Sequence, residues 1–227
     1  IIKYKPSRKE VDVYDDYILE NNNNFVVINK PRGIAVQAGT KSFRNIIDVL
    51  KDSKYFENTK PYIVHRLDKE TSGVLIVAKT REYAQLFTSL FRIRRIHKTY
   101  IALTHGNVSK KIRTLKDDLI TIDNGKKITQ NAISHIRLLK TSTDFSYVEL
   151  NPITGRKHQL RKQLYNIGNP IIGDDKYFIN RRADKMKIKS KNLLLHAYKI
   201  KFMINNIQYN FKAEYDDEFE KFLKKNF

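Results

Sequence analysis

Apolar residues fall along this chain in short runs of two different periods, and the alternation between them predicts the elements. Phe25-Val26-Val27-Ile28 is a β-type run stopped by Lys30-Pro31-Arg32-Gly33, whose proline and glycine make a turn. Phe43, Ile46, Ile47 and Leu50 recur at helical spacing behind Ser42, a capping residue type. Residues 74–78 are apolar without interruption and read as a buried strand. Tyr83, Leu86, Phe87, Leu90 and Phe91 lie at i, i+3, i+4, i+7 and i+8, which predicts an amphipathic helix. Its last turn runs into Arg92, Arg94 and Arg95, cations that suit the negative end of a helix dipole.

Beyond that helix the period shortens again. Residues 100–103, 132–136, 147–150, 196–202 and 207–211 are β-type runs, the last two joined across Asn205-Asn206. Residues 119–123 and 126–130 flank Asn124-Gly125, a strong signal for a two-residue hairpin. Leu160, Leu164 and Ile167 predict a helix closed by Gly168, and Asp216-Asp217 opens a final helix carrying Phe219, Phe222 and Leu223. Hairpin-linked strands with a few interspersed helices predict an α+β fold around a mixed, mostly antiparallel sheet. With 8 glycines and 5 prolines and no linker-like stretch, residues 21–227 read as one domain and residues 1–20 as a lead-in.

Charge changes this picture from a generic fold to one with a partner. The 227 residues carry 44 Lys and Arg against 24 Asp and Glu, a formal net charge of +20. Both ends are mildly acidic, so residues 21–213 hold 37 bases against 14 acids. Thirty of the basic residues are lysine, which compositional drift explains as a choice of Lys over Arg but not of Lys over Glu. A folded body with this excess invites a polyanion, because neutralised phosphates release condensed counterions. Nucleic acid is the first partner to consider and an anionic membrane surface the second. Apolar runs of about six residues are far short of a bilayer span, and no signal peptide leads the chain. With no cysteine there is neither a disulfide framework nor a thiolate metal site, and a cytoplasmic address is expected.

Chemistry is narrowed first by what the sequence lacks. Gly33, Gly39, Thr40 and Lys41 do not make a phosphate-binding loop, because the glycine spacing is one too long and the Lys and Thr are reversed. There is no H-E-x-x-H helix, no acidic calcium loop and no G-x-S-x-G elbow, so no metal site is expected. Catalysis would then run on carboxylate, phenol and guanidinium groups. Two segments concentrate them: His65-Arg66-Leu67-Asp68-Lys69-Glu70-Thr71-Ser72-Gly73 and Thr154-Gly155-Arg156-Lys157-His158-Gln159-Leu160-Arg161. Taken singly, the first passes for a solvated loop with a local ion pair and the second for a basic helix face, and Tyr100 for a core tyrosine.

Together they resemble the RluA family of pseudouridine synthases. Residues 65–73 match H-R-L-D-x-x-T-S-G and residues 154–161 match T-G-R-x-H-Q-[IL]-R. Asn29-Lys30-Pro31-Arg32-Gly33, Lys98-Thr99-Tyr100, Gly168-Asn169-Pro170-Ile171-Ile172-Gly173-Asp174 and Leu194-Leu195-His196-Ala197 match further landmarks in the family's order. The resemblance runs from about residue 25 to residue 213, and the Gln37-Ala38-Gly39 region points within the family to the type-C synthases of large-subunit ribosomal RNA. One departure is Gln163, where the family usually has His; it puts local helix packing or an RNA contact in doubt.

The resemblance implies conversion of uridine to pseudouridine: cleavage of ribose C1′ from uracil N1, rotation of the base, and joining of C1′ to C5. No atoms are gained or lost, so no cofactor is expected. The resemblance places a carboxylate, Asp68, near C1′, as nucleophile or as the base that removes a ribose proton. It makes Arg161 the opposing guanidinium that keeps this carboxylate ionised, and Tyr100 the group at C5. It sets Leu160 against the other face of the base, and Arg66 in the gap left when the target is flipped out. His65 and Arg156 belong to the same RNA-contacting segments, Arg92, Arg94 and Arg95 to the helix tip. A basic stretch at 176–191, with Arg181, Arg182, Lys185, Lys187 and Lys189, is expected to be an exposed arm gripping phosphates.

The partner so implied is RNA, foremost large-subunit (23S) ribosomal RNA, with neither DNA nor membrane, and the chain is expected to act as a monomer. Starting at Ile1 without methionine, it is expected to follow a small upstream RNA-binding domain of the S4 type, with residues 1–20 as linker. A synthase acting on tRNA or another ribosomal uridine is the alternative within the class. A non-catalytic RNA-binding or ribosome-assembly protein would keep the charge without needing Asp68, Tyr100 and Arg161 together. An RNA glycosidase would want two carboxylates flanking the bond, and Asp68 and Glu70, at i and i+2 on an extended loop, would diverge.

Overall fold

The continuous apolar runs become strands buried along nearly their whole length. The computed structural model describes residues 14–39, 44–57, 59–123, 126–178 and 190–227. These form two compact units, one drawn from Ile1–His97 and Ala197–Glu214, the other from Lys98–His196 and Tyr215–Phe227. The architecture is α+β, with large, mostly antiparallel sheet structure and few helices, as the hairpin-linked pattern predicts.

In the first unit the strands run in the order β1 (Ile18–Asn21), β2 (Phe25–Lys30), β4 (Ser72–Ala78) and β9 (Leu195–Ile204). β3 (Tyr62–Ile63) joins β4, and β10 (Ile207–Lys212) joins β9. Every residue of β4 is buried, the mark of a strand covered on both faces. β1 is a finding the lead-in reading missed: Ile18–Asn21 pairs antiparallel with β2, its connection tied by Asn22 Oδ1, which accepts from the N–H groups of Asn24 and Phe25. Four residues in a polar neighbourhood are too few to show as a period. At the other hairpin, Asn205 and Asn206 both have left-handed φ values of 50° and 62°, which the right-handed twist of β9 and β10 demands of a two-residue turn.

Helix α1 (Ile46–Lys51) buries Ile46, Val49 and Leu50, and its cap is Asn45, whose Oδ1 accepts from Asp48 N at 3.0 Å. This replaces the expected cap at Ser42, which lies outside the described residues with Phe43. Asn45 hides from pattern reading because it stands inside the apolar spacing. Helix α2 (Arg81–Arg92) is the predicted amphipathic helix, capped by Thr80, whose hydroxyl accepts from Tyr83 N at 3.2 Å. Phe87 sits edge-on to Phe25 at 5.4 Å and to Phe202 at 5.3 Å, within a core that includes Val27, Val74 and Ile76.

In the second unit the order is β5 (His97–His105), β8 (Phe145–Pro152), β7 (Lys126–Thr141) and β6 (Thr114–Asp123). Asp123 pairs with Lys126, so two residues connect β6 and β7; Asn124 and Gly125 themselves lie outside the described residues. Residues 126–130 and 132–136 are one sixteen-residue strand rather than two. Its first part pairs only with β6 and its last part with β8, so the apolar pattern differs along one strand. Helix α3 (Gln159–Asn166) lays Leu160 and Leu164 on a core with Leu115, Ile136, Val148, Leu150 and Ile171, and Gly168 follows it at φ +79°. Helix α4 (Asp217–Asn226) is capped by Asp216 and anchored by buried Phe219 and by Phe222 against Phe145 at 5.2 Å. No helix among the described residues is long and apolar enough to cross a membrane.

Candidate active site

Asp68 stands on a segment without regular structure between β3 and β4, and its neighbours fasten that segment at several points. His65 accepts the Ile76 N–H on Nε2 at 2.9 Å and lies 4.8 Å from the Phe91 ring, so the first residue of the motif ties the loop to the strand it precedes. Leu67 is buried, Arg66 exposed and Asp68 partly exposed. The Thr71 N–H donates to Asp68 O at 3.1 Å, and Lys69 O accepts from Gly33 N at 3.0 Å and from Lys30 Nζ at 3.2 Å. The motif ends at Gly73 for a steric reason: at φ +114° a Cβ would stand 2.2 Å from the Ala197 carbonyl oxygen.

Lys30 has no solvent exposure and gives its ammonium to three carbonyls, Pro31 at 2.8 Å, Ile34 at 2.9 Å and Lys69 at 3.2 Å. It thereby binds the Pro31–Gly33 turn to the Asp68 loop. Burial lowers its pKa to about 7; the negative charges of Glu70 and Asp68 push the other way and only partly offset it.

Tyr100 lies on β5 opposite Leu150 and is partly buried. The Thr154-Gly155-Arg156 turn is held by one amide: Gln159 Oε1 accepts from Thr154 Oγ1 at 2.7 Å and from Arg156 N at 3.0 Å. Its Nε2 donates to Ser134 Oγ at 2.9 Å and to Ile133 O at 3.1 Å. His158 then takes a left-handed φ of 54° and puts Nδ1 2.9 Å from the Tyr177 hydroxyl.

Arg161 is 4% exposed and grips wholly buried Asp174 as a fork, Nε to Oδ2 at 2.7 Å and Nη2 to Oδ1 at 2.6 Å, with Asp175 at 3.2 Å. Tyr177 places its ring under the guanidinium at 5.2 Å. Burial by itself would raise the Asp174 carboxyl; the Arg161 fork and the N–H groups of Tyr177 and Lys176 outweigh it and hold the carboxyl below its usual range. Within its own unit, then, Arg161 meets Asp174 and Asp175. Gln163 is fully buried, accepting from Ser134 Oγ at 2.7 Å and donating to the carbonyls of Leu115 and Ala132. The departure from the family's His is accommodated as packing inside the unit.

Asp68, Arg66 and His65 belong to the first unit; Tyr100, Arg156, Leu160 and Arg161 belong to the second. Leu160 is buried, and Arg156 donates from Nε to Asn131 O at 3.2 Å. Arg92, Arg94 and Arg95 are exposed where α2 ends, and Arg95 lines an open groove with Leu90, His97, Lys201 and Met203. Arg181, Arg182, Lys185, Lys187 and Lys189 lie outside the described residues.

A family model described as RNA pseudouridylate synthase matches residues 24–166, a stretch that contains Asp68, Tyr100 and Arg161. The chain belongs to this family. Among its relatives is ribosomal large subunit pseudouridine synthase C of Buchnera aphidicola, 34% identical over 201 residues that make up 84% of this chain and 63% of the relative. The D synthase of Borreliella burgdorferi is 32% identical over 226 residues, 91% of this chain and 67% of the relative. The chain thus spans somewhat less than two thirds of the C synthases' own length. Among solved structures, human RNA Pseudouridylate Synthase Domain Containing 4 is 28% identical with a TM-score of 0.78, covering 94% of each chain. These findings agree with the resemblance read from residues 65–73 and 154–161.

Pattern reading missed the functional weight of Lys30, Gln159 and Asp174. All three stand in the quoted motifs, so their positions were visible; what they hold was not. A buried Lys looks like any other Lys in a chain with so many of them.

Proposed function

We propose that the chain isomerises uridine to pseudouridine in structured RNA, with large-subunit ribosomal RNA as substrate and the cytoplasm as its place of action. The observation that carries the reading is that the family match includes Asp68, Tyr100 and Arg161 in one continuous stretch. In this mechanism the Asp68 carboxylate acts at ribose C1′, either attacking it or removing a ribose proton, so that the bond to uracil N1 breaks. The base turns and C5 bonds to C1′ as the Asp68 oxygen leaves it, or as Asp68 returns the proton to the ribose; Tyr100 takes part in removing the C5 proton while N1 gains one, so the product is an isomer. The family resemblance gives Arg161 the part of keeping the reacting carboxylate ionised, and within its own unit Asp174 fixes its fork. Exposed Arg66 has the flat cation needed to stack where the flipped uridine has left the helix. The names of the C and D relatives support ribosomal RNA over tRNA.

Tritium release from ribosomal RNA labelled at uridine C5 tests the proposal. The wild-type chain should release label, and Asp68→Asn should release none while still binding the RNA, because the amide keeps the shape but is neither nucleophile nor base. Free uracil and an abasic ribose in the products would instead mean glycosidase chemistry, and turnover by Asp68→Asn would remove Asp68 from the mechanism.

A further inference from the structure

Lys98, the charged end of the Lys98-Thr99-Tyr100 motif, is left without work by the mechanism above. It sits on β5 two residues before Tyr100, so the two side chains leave the same face of the strand, roughly 6.6 Å apart along it. Asn151 fixes the backbone there, donating from Nδ2 to Lys98 O at 3.3 Å and to Thr99 Oγ1 at 3.0 Å. The ammonium rests against the Thr154-Gly155-Arg156 turn: a Cβ on Gly155 would be 3.8 Å from Lys98 Nζ. Gly155 is exposed, so this cation lies beside an open, side-chain-free stretch of backbone rather than under a packed one.

Among the described residues nothing repays its charge. Lys98 is partly buried, and among the described residues its ammonium has neither a hydrogen-bond acceptor nor a carboxylate. Burial alone lowers its pKa, with no negative group opposing. A partly buried cation held without a partner costs stability that a methionine of similar length would not. A four-carbon stem could carry the charge out to water, yet it lies in against the turn. Such an arrangement has a use if an anion arrives from outside.

We propose that Lys98 and the Gly155 turn form a binding site for an RNA backbone phosphate, that of the nucleotide whose base is presented to Tyr100. This rests on the proposed function for the role of Tyr100, but the anion site itself does not depend on isomerisation. The distance along β5 suits one nucleotide, with the base at the tyrosine and its own backbone at the lysine. The absent side chain at Gly155 leaves room for phosphate oxygens beside the ammonium.

The test measures binding of a synthetic oligouridine and of ribosomal RNA across salt concentrations, for the wild-type chain, Lys98→Met and Lys98→Arg, all in the Asp68→Asn background so that no turnover interferes. Lys98→Met should weaken binding about tenfold at low salt and flatten the log–log salt dependence by roughly 0.7, one single-strand phosphate contact. Lys98→Arg should recover most of both. With Asp68 restored, the single-turnover rate at saturating RNA should stay within about twofold of wild type for both variants. Melting temperatures of the variants show that each is folded when its affinity is read. An unchanged affinity and salt slope in Lys98→Met would overturn the proposal. So would a collapsed saturating rate with intact affinity, since the lysine would then act on the reacting base. Should the wild-type chain bind RNA and release no tritium, the proposed function fails, and the comparison among the Lys98 variants still decides the anion site.

Discussion

Two lysines, one in each unit, are withdrawn from water in opposite ways. Lys30 is fully inaccessible and surrounded by acceptors, with carbonyls at 2.8, 2.9 and 3.2 Å. Lys98 is only partly buried and meets no acceptor among the described residues. A buried cation that has saturated its donors is a structural bolt, and here the bolt joins the turn after β2 to the loop bearing Asp68. A partly buried cation with its donors unspent carries a cost that an anion arriving from outside would offset. The difference separates a lysine that shapes the site from one that binds a ligand, although both stand in family motifs and neither differs in kind from the other lysines of the sequence.

Arg161 sets the upper end of this comparison, being buried with a full carboxylate partner. Asp174→Ala should therefore produce the largest loss of stability, about 3–5 kcal/mol, because it removes the two-bond fork from a buried guanidinium and leaves the exposed Asp175 in its place. Urea unfolding measures it, and a loss under about 1 kcal/mol would mean that water or Asp175 takes over the pairing. Lys30→Met comes next. It takes the ammonium donor from the buried Ile34 carbonyl and the part-buried Pro31 carbonyl, while Lys69 O keeps its bond from Gly33 N, so about 2–4 kcal/mol is expected. A stabilised Lys30→Met would break the distinction drawn between the two lysines.

The pH dependence of Lys30 follows with a definite sign. Its folded pKa of about 7 is below that of an unfolded lysine, so between those values the unfolded chain holds a proton that the folded chain does not. Stability should accordingly rise with pH above about 7, by up to about 1.4 kcal/mol per pH unit, until the unfolded lysine also titrates. Below pH 7 both states carry the proton and this contribution is flat. Unfolding curves of wild type and Lys30→Met between pH 6 and pH 10 should diverge in slope on the alkaline side only. The smallest effect is expected at Lys98, where Lys98→Met should change stability by less than about 1 kcal/mol, in the stabilising direction, since among the described residues no bond is lost and an unpaired charge is. A loss as large as that of Lys30→Met would reveal an unrecognised structural partner.

Much of the molecule was legible before its structure. The α2 helix was visible because a surface helix must repeat its apolar face every 3.6 residues, and the β9–β10 turn because only a few residue types accept two left-handed positions in succession. The motif residues around Asp68 and Arg161 were visible as unusual concentrations of charge between apolar segments. What could not be read is what depends on partners distant in the chain. Ile18–Asn21 is a strand because β2 lies beside it, and β7 runs on past residue 131 because it exchanges β6 for β8 as its neighbour. The Asn45 cap of α1 is local, and was hidden only because it stands inside the apolar spacing.

The sequence by itself determined the class of fold, the basic body and the residue types available for chemistry, since these follow from periodicity, composition and motif order. Tertiary structure alone decided which buried charges are satisfied. Whether a lysine has acceptors depends on carbonyls contributed by other segments: Lys69 O reaches Lys30 across 39 positions, while the Gly155 turn stands beside Lys98 without any hydrogen bond to it among the described residues. A side chain's identity sets its charge, but only the folded chain's placement of dipoles and carboxylates sets what holding that charge out of water costs.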